Sequence, residues 1–136
     1  MRYLDTNVIL RFLTGDDPVK AAACLSLMQR LQQGLEEATT STVVIHEALY
    51  ILSSRAHYGL THPDAAARLK PIVALRGLQV PHKHTVLHAL DVYAEHQFLD
   101  FGDALSVAEM LAFGITEIIS YDRDFDRVPG VTRVEP

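Results

Sequence analysis

Short apolar runs alternate with longer amphipathic stretches along the whole chain, and this alternation limits the folds that the sequence can adopt. The short runs are rich in apolar or β-branched side chains, as strands are, and they occupy residues 2–5, 37–42, 78–80, 116–121 and 131–134. Apolar residues at helical spacing fill the intervals between them. Strands that alternate with helices favour an α/β fold, in which helices cover a mostly parallel central sheet.

Residues with known preferences for helix ends bound several of the amphipathic stretches. Asp17 and Pro18 predict the start of a helix, and Gly34 predicts its end. Thr6 or Asn7 is expected to cap a shorter helix that precedes it. The remaining predicted helices cover residues 42–54, 63–76, 82–96 and 100–114.

The composition is that of a water-soluble protein with one hydrophobic core. The chain has 136 residues, 49% of them hydrophobic and 21% charged, and we expect a single domain over residues 1–136. Its apolar runs are shorter than the ~20 residues that a membrane-spanning helix needs, and no signal region opens the chain. Cys24 is the only cysteine, so no internal disulfide can form. These features predict a cytoplasmic protein with no membrane association and a buried, unreactive thiol.

The charge of the chain is acidic and unevenly distributed. The formal net charge is −5, which argues against a protein that binds nucleic acid through a broad basic face. No lysine or arginine occurs between Lys83 and Arg123, although seven aspartates and glutamates do. A phosphate-bearing substrate could approach this region only through a bound cation, with arginines at the rim of the site. The candidates for that rim are Arg11, Arg55, Arg123 and Arg127.

Four acidic residues occupy positions from which they could reach one point. Asp5 and Asp122 directly follow predicted strands, Asp103 lies in the first turn of a helix, and Glu47 lies within another helix. Ligand sites in parallel sheets collect at the carboxyl ends of the strands. Carboxylates held together raise one another's pKa values unless a cation neutralises them, and an all-oxygen site suits Mg²⁺ or Mn²⁺. The pattern therefore predicts a site for one or two such ions.

A carboxylate site of this kind most often serves phosphate chemistry. The bound metal would polarise a phosphodiester, activate water as the nucleophile and stabilise the leaving oxygen. Thr6, Asn7 and Ser120 are polar residues beside the acids, and we expect them to orient the ligands by hydrogen bonds.

Each acid also has an ordinary structural interpretation. Asp5 could serve only as a helix cap, and Glu47 could be a surface residue at the edge of a helix face. Asp103 could stabilise the helix dipole with Asp100 as the cap, and Asp122 could only form a turn. Taken singly, these alternatives stay open; the order and local context of the four acids favour the shared site.

That context resembles the PIN-domain nucleases, and most closely the VapC-type toxins of bacterial toxin–antitoxin pairs. The resemblance is carried by residues 4–10 (LDTNVIL), by the helix that contains Glu47, by residues 101–108 (FGDALSVA) and by residues 120–125 (SYDRDF). It implies a metal-dependent endoribonuclease with a three-layer α/β/α architecture. It also implies an RNA substrate, a homodimer, and a small VapB-like antitoxin that holds the enzyme inactive.

The resemblance assigns Asp5, Glu47 and Asp103 as the main metal ligands and Asp122 as the fourth. The fourth position varies within the family, so Asp124 is the alternative to Asp122 there. If Asp122 is the ligand, we expect Asp124 to support the site. The Asp-Ala-Leu context favours Asp103 over the neighbouring Asp100.

Two other functional classes remain as alternatives. A PIN-like fold with a degenerate site would act as a binding or regulatory module, which the acidic charge and the lack of a basic stripe favour. A phosphatase or phospho-receiver built around Asp5 is disfavoured, because Asn7 stands where such a phosphatase needs a second aspartate and no acidic pair accompanies Asp5. None of the seven histidines is assigned a catalytic role.

Overall fold

The computed structural model of the chain describes all 136 residues, Met1–Pro136. Its elements follow one another in the order β1 (Arg2–Tyr3), α1 (Thr6–Thr14), α2 (Pro18–Gln33), β2 (Ala38–Thr39), α3 (Thr42–Ser53), α4 (His62–Val73), β3 (Leu78–Gln79), α5 (Lys83–Glu95), α6 (Phe101–Ala112), β4 (Glu117–Ile119), a 3-10 helix (Arg123–Arg127) and β5 (Thr132–Val134). None of the helices combines the length and the apolar character needed to span a membrane.

Every strand pair is parallel, and the strands form two hydrogen-bonded ladders. In the first ladder β2 lies between β1 and β3, with Ala38 opposite both Arg2 and Leu78. In the second ladder β4 pairs with β5, and Ile118 lies opposite Arg133. Helices connect the parallel strands, as such connections require. The predicted α/β class with parallel strands is confirmed, and the sheet is divided into two parts because β1 and β4 make no ladder with each other.

Local capping chemistry sets the ends of α2. The side chain of Asp17 accepts a hydrogen bond from the backbone N–H of Lys20 at 3.1 Å, and Pro18 is the first helical residue. Gly34 ends the helix with φ 73°, a left-handed conformation that glycine adopts without a side-chain penalty. The predicted helix agrees with the observed one to within a residue.

One cluster of 29 buried apolar residues forms the core, and most of its members come from α3, α4, α5 and α6. Leu49, Leu69 and Leu90 are each exposed by 1% or less. Burying each such side chain contributes about 1.5–3 kcal/mol before the loss of conformational entropy is counted. Cys24 is also buried, as predicted. This packing fixes the N-terminal halves of α3 and α6, which carry two of the candidate acids.

Two details of the secondary structure differ from the sequence prediction. Asp5 holds the N-cap position of α1, so the prediction that Thr6 or Asn7 caps this helix was wrong. Thr6 is instead the first helical residue, and its hydroxyl bonds elsewhere. The 3-10 helix was not predicted; Asp122 caps it, and it buries Phe125 against the core.

Candidate active site

Asp5 presents a free carboxylate at the junction between β1 and α1. The residue is exposed and stands at the N-cap position of α1, but its side chain makes no capping hydrogen bond. Leu4, just before it, is fixed to β2 because its N–H donates to the carbonyl oxygen of Thr39 at 2.8 Å and its own carbonyl accepts from the hydroxyl of Thr40 at 2.9 Å. A backbone held in this way leaves the Asp5 carboxylate available to a ligand, and the structure gives no support to a role as a cap only.

Glu47 lies on α3 and is tied to α1 by one hydrogen bond. The hydroxyl of Thr6, which is only 3% exposed, donates to Oε2 of Glu47 at 2.9 Å. Because Thr6 follows Asp5 in the chain, this bond brings the ends of α1 and α3 that carry the two acids together. The second carboxylate oxygen of Glu47 makes no hydrogen bond within the protein. The contact is of the kind that orients a metal-binding carboxylate.

Asp103 lies in the first turn of α6, whose N-cap is Asp100. The side chain of Asp100 accepts the backbone N–H of Asp103 at 2.8 Å. Burial raises the pKa of the Asp103 carboxyl above its ordinary value, and the neighbouring carboxylates of Asp100, Asp122 and Asp124 raise it further. The nearby imidazole of His46 acts in the opposite direction. The ionised form of Asp103 is thus crowded by like charge, which a bound cation would relieve.

Asp122 and Asp124 follow β4 and belong to one small hydrogen-bonded turn. The N–H of Asp122 donates to the hydroxyl of Ser120 at 3.0 Å, and Oδ1 of Asp122 accepts the N–H of Asp124 at 2.9 Å. Asp124 lies 3.9 Å from the guanidinium of Arg127, which itself stacks over the ring of Phe98 at 3.8 Å. Asp122 therefore keeps one carboxylate oxygen without a protein partner, whereas Asp124 has a cation beside it.

The candidate acids form two neighbouring groups. Thr6 joins Glu47 to the segment that holds Asp5, and Asp103 lies close enough to Asp100, Asp122 and Asp124 for their charges to raise its pKa in addition to the effect of burial. As the side chains stand, no set of three or more acidic, histidine or cysteine side chains is close enough to hold a metal ion. Asp5 follows β1 and Asp122 follows β4, and these two strands belong to different ladders.

His46 connects the two groups and was missed by sequence reasoning. It precedes Glu47 on α3, its charge acts on the pKa of Asp103, and its ring makes an edge-to-face contact with Phe101 at 6.2 Å. A cavity of about 560 Å³ opens beside it between α3 and α6, and Glu47 lines the same cavity. The sequence gives no signal that a histidine on an amphipathic helix lines a cavity or lies near another acid. Its position next to Glu47 was the one available indication that it is close to the candidate site.

The other residues proposed to support the site have mixed placements. Ser120 contacts Asp122 through the hydrogen bond given above, whereas Asn7 is exposed and lines a separate cavity with Arg11 and Lys20. Among the arginines expected at the rim, Arg127 lies beside Asp124, and Arg11 is paired with Asp16 at 2.9 Å. Of these two arginines, Arg127 lies on the Asp122 side of the candidate site, and Arg11 is held by its ion pair.

Comparison of the sequence with known proteins identifies the family to which the chain belongs. The chain is 28% identical over 135 residues to a VapC ribonuclease of Mycobacterium bovis and to Ribonuclease VapC13 of Mycobacterium tuberculosis, covering 98% of this chain and 99% of each relative. It is also 28% identical to a VapC ribonuclease of Aquifex aeolicus, covering 100% of this chain and 97% of the relative. The family profile described as PIN domain matches residues 2–131. The predicted resemblance and fold class are confirmed: the chain belongs to the PIN domain family.

Proposed function

We infer that this protein is an endoribonuclease that acts as the toxin of a toxin–antitoxin pair. The observation that carries the inference is similarity over almost the full length to proteins named VapC ribonucleases, within a family match that spans residues 2–131. The placement of the candidate acids supports it. Asp5 and Glu47 lie on elements joined by the Thr6 hydrogen bond, and Asp103 lies within electrostatic reach of Asp122. We also propose that residues 1–136 work as one nuclease domain.

We propose that Asp5, Glu47, Asp103 and Asp122 hold Mg²⁺ or Mn²⁺. Their donor atoms are all carboxylate oxygens, which suits either ion. Burial and then the neighbouring carboxylates raise the pKa of Asp103, and a cation would offset the repulsion among these charges. When bound, the ion would supply Lewis acidity to the scissile phosphodiester and to the attacking water. Binding would require the two groups of acids to approach each other more closely than they do here.

The remaining polar residues would position these four. Thr6 would hold the Glu47 carboxylate in one orientation, and Ser120 would fix the turn that presents Asp122. We propose that Asp124 supports the site rather than binding the metal, because Arg127 already lies beside it. Asn7, two residues after Asp5 in the chain, would support that acid only from the separate cavity that it lines with Arg11 and Lys20.

The proposed partners follow from the same family membership. Because the relatives are named as VapC proteins, we propose a small VapB-like antitoxin as the regulatory partner, a homodimer as the working assembly and the cytoplasm as the location. An RNA strand would meet a chain of net charge −5, so metal at the acids and the guanidinium of Arg127 would supply the attraction for its phosphates.

The decisive experiment maps new 5′ ends in total cellular RNA after incubation with purified protein. Wild type and Asp103→Asn are compared side by side, each in Mg²⁺ and in EDTA. The expected result is a set of discrete ends that requires both the metal and Asp103. Ends that persist in the variant would indicate a contaminating nuclease, and a folded wild type that produces no ends would favour the alternative of a binding module.

A further inference from the structure

The cavity between α3 and α6 has mostly apolar wall surface, although Thr42, Glu47 and Gly102 also line it. Its volume of about 560 Å³ lies within the range of small-molecule sites, about 300–1,000 Å³. From α3, the lining includes the side chains of Val43, His46 and Tyr50, and from α6 it includes Phe101 and Leu105. Three aromatic rings and two aliphatic side chains therefore line most of the space, which is open to solvent on its outer side. Such walls favour a flat, largely apolar occupant.

The charges around the cavity exclude a phosphate as that occupant. No lysine or arginine lines it, and its only carboxylate is that of Glu47. An anionic group would be repelled there, whereas an uncharged ring would lose little hydration on entry. An unpaired nucleobase has this character, since its faces are apolar and its edges carry hydrogen-bonding groups.

The position of the cavity joins it to the proposed active site. Glu47 lines it from α3, and Gly102, which precedes Asp103, lines it from α6. Gly102 lies close under the His46 ring, because a Cβ added there would be 3.6 Å from Cε1 of His46. A molecule bound in the cavity would therefore lie beside two of the acids.

The outer wall of the cavity is open to solvent. Tyr50 is 65% exposed and Val43 is 72% exposed, and both lie on the same side of α3 because seven residues separate them. Exposed aromatic rings beside a nuclease site offer stacking surfaces to single-stranded RNA, because proteins recognise unpaired bases by stacking on them and by hydrogen bonds to their edges.

We propose that the α3–α6 cavity binds one unpaired base of the RNA substrate, stacked against the rings of Tyr50 and His46, and so selects the phosphodiester that reaches the acids. The inference rests on the proposed ribonuclease function. It makes the substrate a single-stranded or looped RNA rather than a continuous duplex, because a paired base cannot leave its helix without a cost of unstacking.

The test combines changes in the enzyme with changes in the RNA. A cleaved RNA is remade with an abasic nucleotide at each position near the cut, and each version is given to wild type, Tyr50→Ala and Tyr50→Phe. Wild type should lose about 5- to 150-fold in kcat/KM at one abasic position, the usual effect of one stacked base. Tyr50→Ala should lose a similar factor on intact RNA and be insensitive to the abasic change, and Tyr50→Phe should behave as wild type.

Matched controls separate stacking from damage to the fold. Tyr58→Ala removes another exposed tyrosine that does not line this cavity and should leave cleavage unchanged. Thermal unfolding of each variant verifies that the fold is retained. If wild type shows no position sensitive to base removal, or if Tyr50→Ala keeps the wild-type sensitivity, the base site is refuted while the ribonuclease function stands.

A binding measurement makes the inference independent of catalysis. A short oligouridine RNA with one fluorescent aminopurine base is mixed with Asp103→Asn, and stacking should quench the fluorescence. Quenching that disappears in the Asp103→Asn, Tyr50→Ala double variant supports the base site, even if wild type cleaves no RNA and the proposed function fails. Unchanged quenching in the double variant refutes it. A change in molecular mass caused by Tyr50→Ala, without any change in quenching, would mean that a protein surface covers the cavity instead.

Discussion

The hydrogen bond from Thr6 to Glu47 gives a sharp test of how the active site is organised. It is the only hydrogen bond that the Glu47 side chain makes, and it joins α1 to α3 across 41 residues of sequence. Thr6→Val keeps the shape of the side chain and removes the donor. Thr6→Ser keeps the donor and removes a methyl group, so it serves as the matched control.

The expected change in stability is small, whereas the expected change in activity is large. A hydrogen bond to a charged group contributes about 1.5–3 kcal/mol, but Glu47 is exposed and water would replace the lost donor. The new methyl group of valine would gain up to about 0.8 kcal/mol by burial at a position that is 3% exposed. We therefore expect Thr6→Val to lower the free energy of unfolding by about 1 kcal/mol or less. The loss of orientation at a metal-binding carboxylate typically costs 10- to 100-fold, in metal affinity or in activity.

Three measurements decide the outcome. Urea unfolding gives the change in stability, titration with Mn²⁺ gives the dissociation constant, and single-turnover cleavage gives the rate. Thr6→Ser should stay close to wild type in all three. If Thr6→Val binds Mn²⁺ and cleaves RNA as wild type does, the Thr6 hydroxyl does not position Glu47 and the reasoning is refuted.

Two further predictions concern groups in the core. The buried hydroxyl of Tyr93 makes no hydrogen bond of ordinary geometry, although the nearby Ser53 hydroxyl acts to lower its pKa, against the larger effect of burial, which raises it. Tyr93→Phe should therefore leave the free energy of unfolding unchanged or raise it by up to about 1 kcal/mol in urea unfolding. A loss above about 2 kcal/mol would mean that the contact with Ser53 is a stabilising hydrogen bond. Burial lowers the pKa of His62, which stacks on Tyr93 at 3.8 Å, below its usual value of 6.5. The unfolded chain therefore binds the proton on His62 more tightly than the folded protein does, and the free energy of unfolding should fall as the pH drops below about 6.5. His62→Gln should lose this pH dependence, which thermal unfolding at a series of pH values would measure.

Features set by neighbouring residues could be predicted from the sequence, and features set by distant residues could not. Asp17, Pro18 and Gly34 define α2 because a cap, a first-turn proline and a left-handed glycine act within a few residues. The failure of β1 and β4 to pair depends on contacts across more than 110 residues of sequence, and no local pattern encodes it. The 3-10 helix escaped prediction for a similar reason, since it depends on burying Phe125 in the core.

In the candidate site, too, the features set by neighbouring residues were easier to predict than those set by contacts between distant residues. The four acids remain a prediction, made because carboxylates at strand ends and in helices have a recognisable context and because that context resembles the PIN-domain nucleases. The roles of their neighbours depend on three-dimensional contacts. Thr6 was expected both to support an acid and to cap α1, and the structure gives it a bond to Glu47 instead of the cap. His46 looked like any histidine on a helix, and only folding brings its ring beside Gly102 and its charge near Asp103.

Asp103 leads to the prediction that removing a proposed catalytic charge makes the protein more stable. Burial, followed by repulsion from Asp100, Asp122 and Asp124, raises the pKa of this carboxyl above its ordinary value of 3.8. The first turn of α6 favours a negative charge, but the direction of the shift means that desolvation and repulsion outweigh the helix dipole. The folded state therefore binds the proton more tightly than the unfolded state does.

The sign of the effect follows from this difference in proton binding. A carboxyl whose pKa is raised by folding contributes its full stability at any pH below its pKa in the unfolded chain. That contribution is lost as the pH rises through its pKa in the folded protein. At pH 7 in EDTA, Asp103→Asn should thus unfold at a higher temperature than wild type, and the difference should vanish near pH 3 and below. Saturating Mn²⁺ should reverse the order, because an ion that binds only the folded wild type stabilises it by mass action. A variant less stable than wild type in EDTA at pH 7 would mean that the ionised carboxylate already has a favourable partner within the protein, and the case for a cation at this position would lose its electrostatic basis.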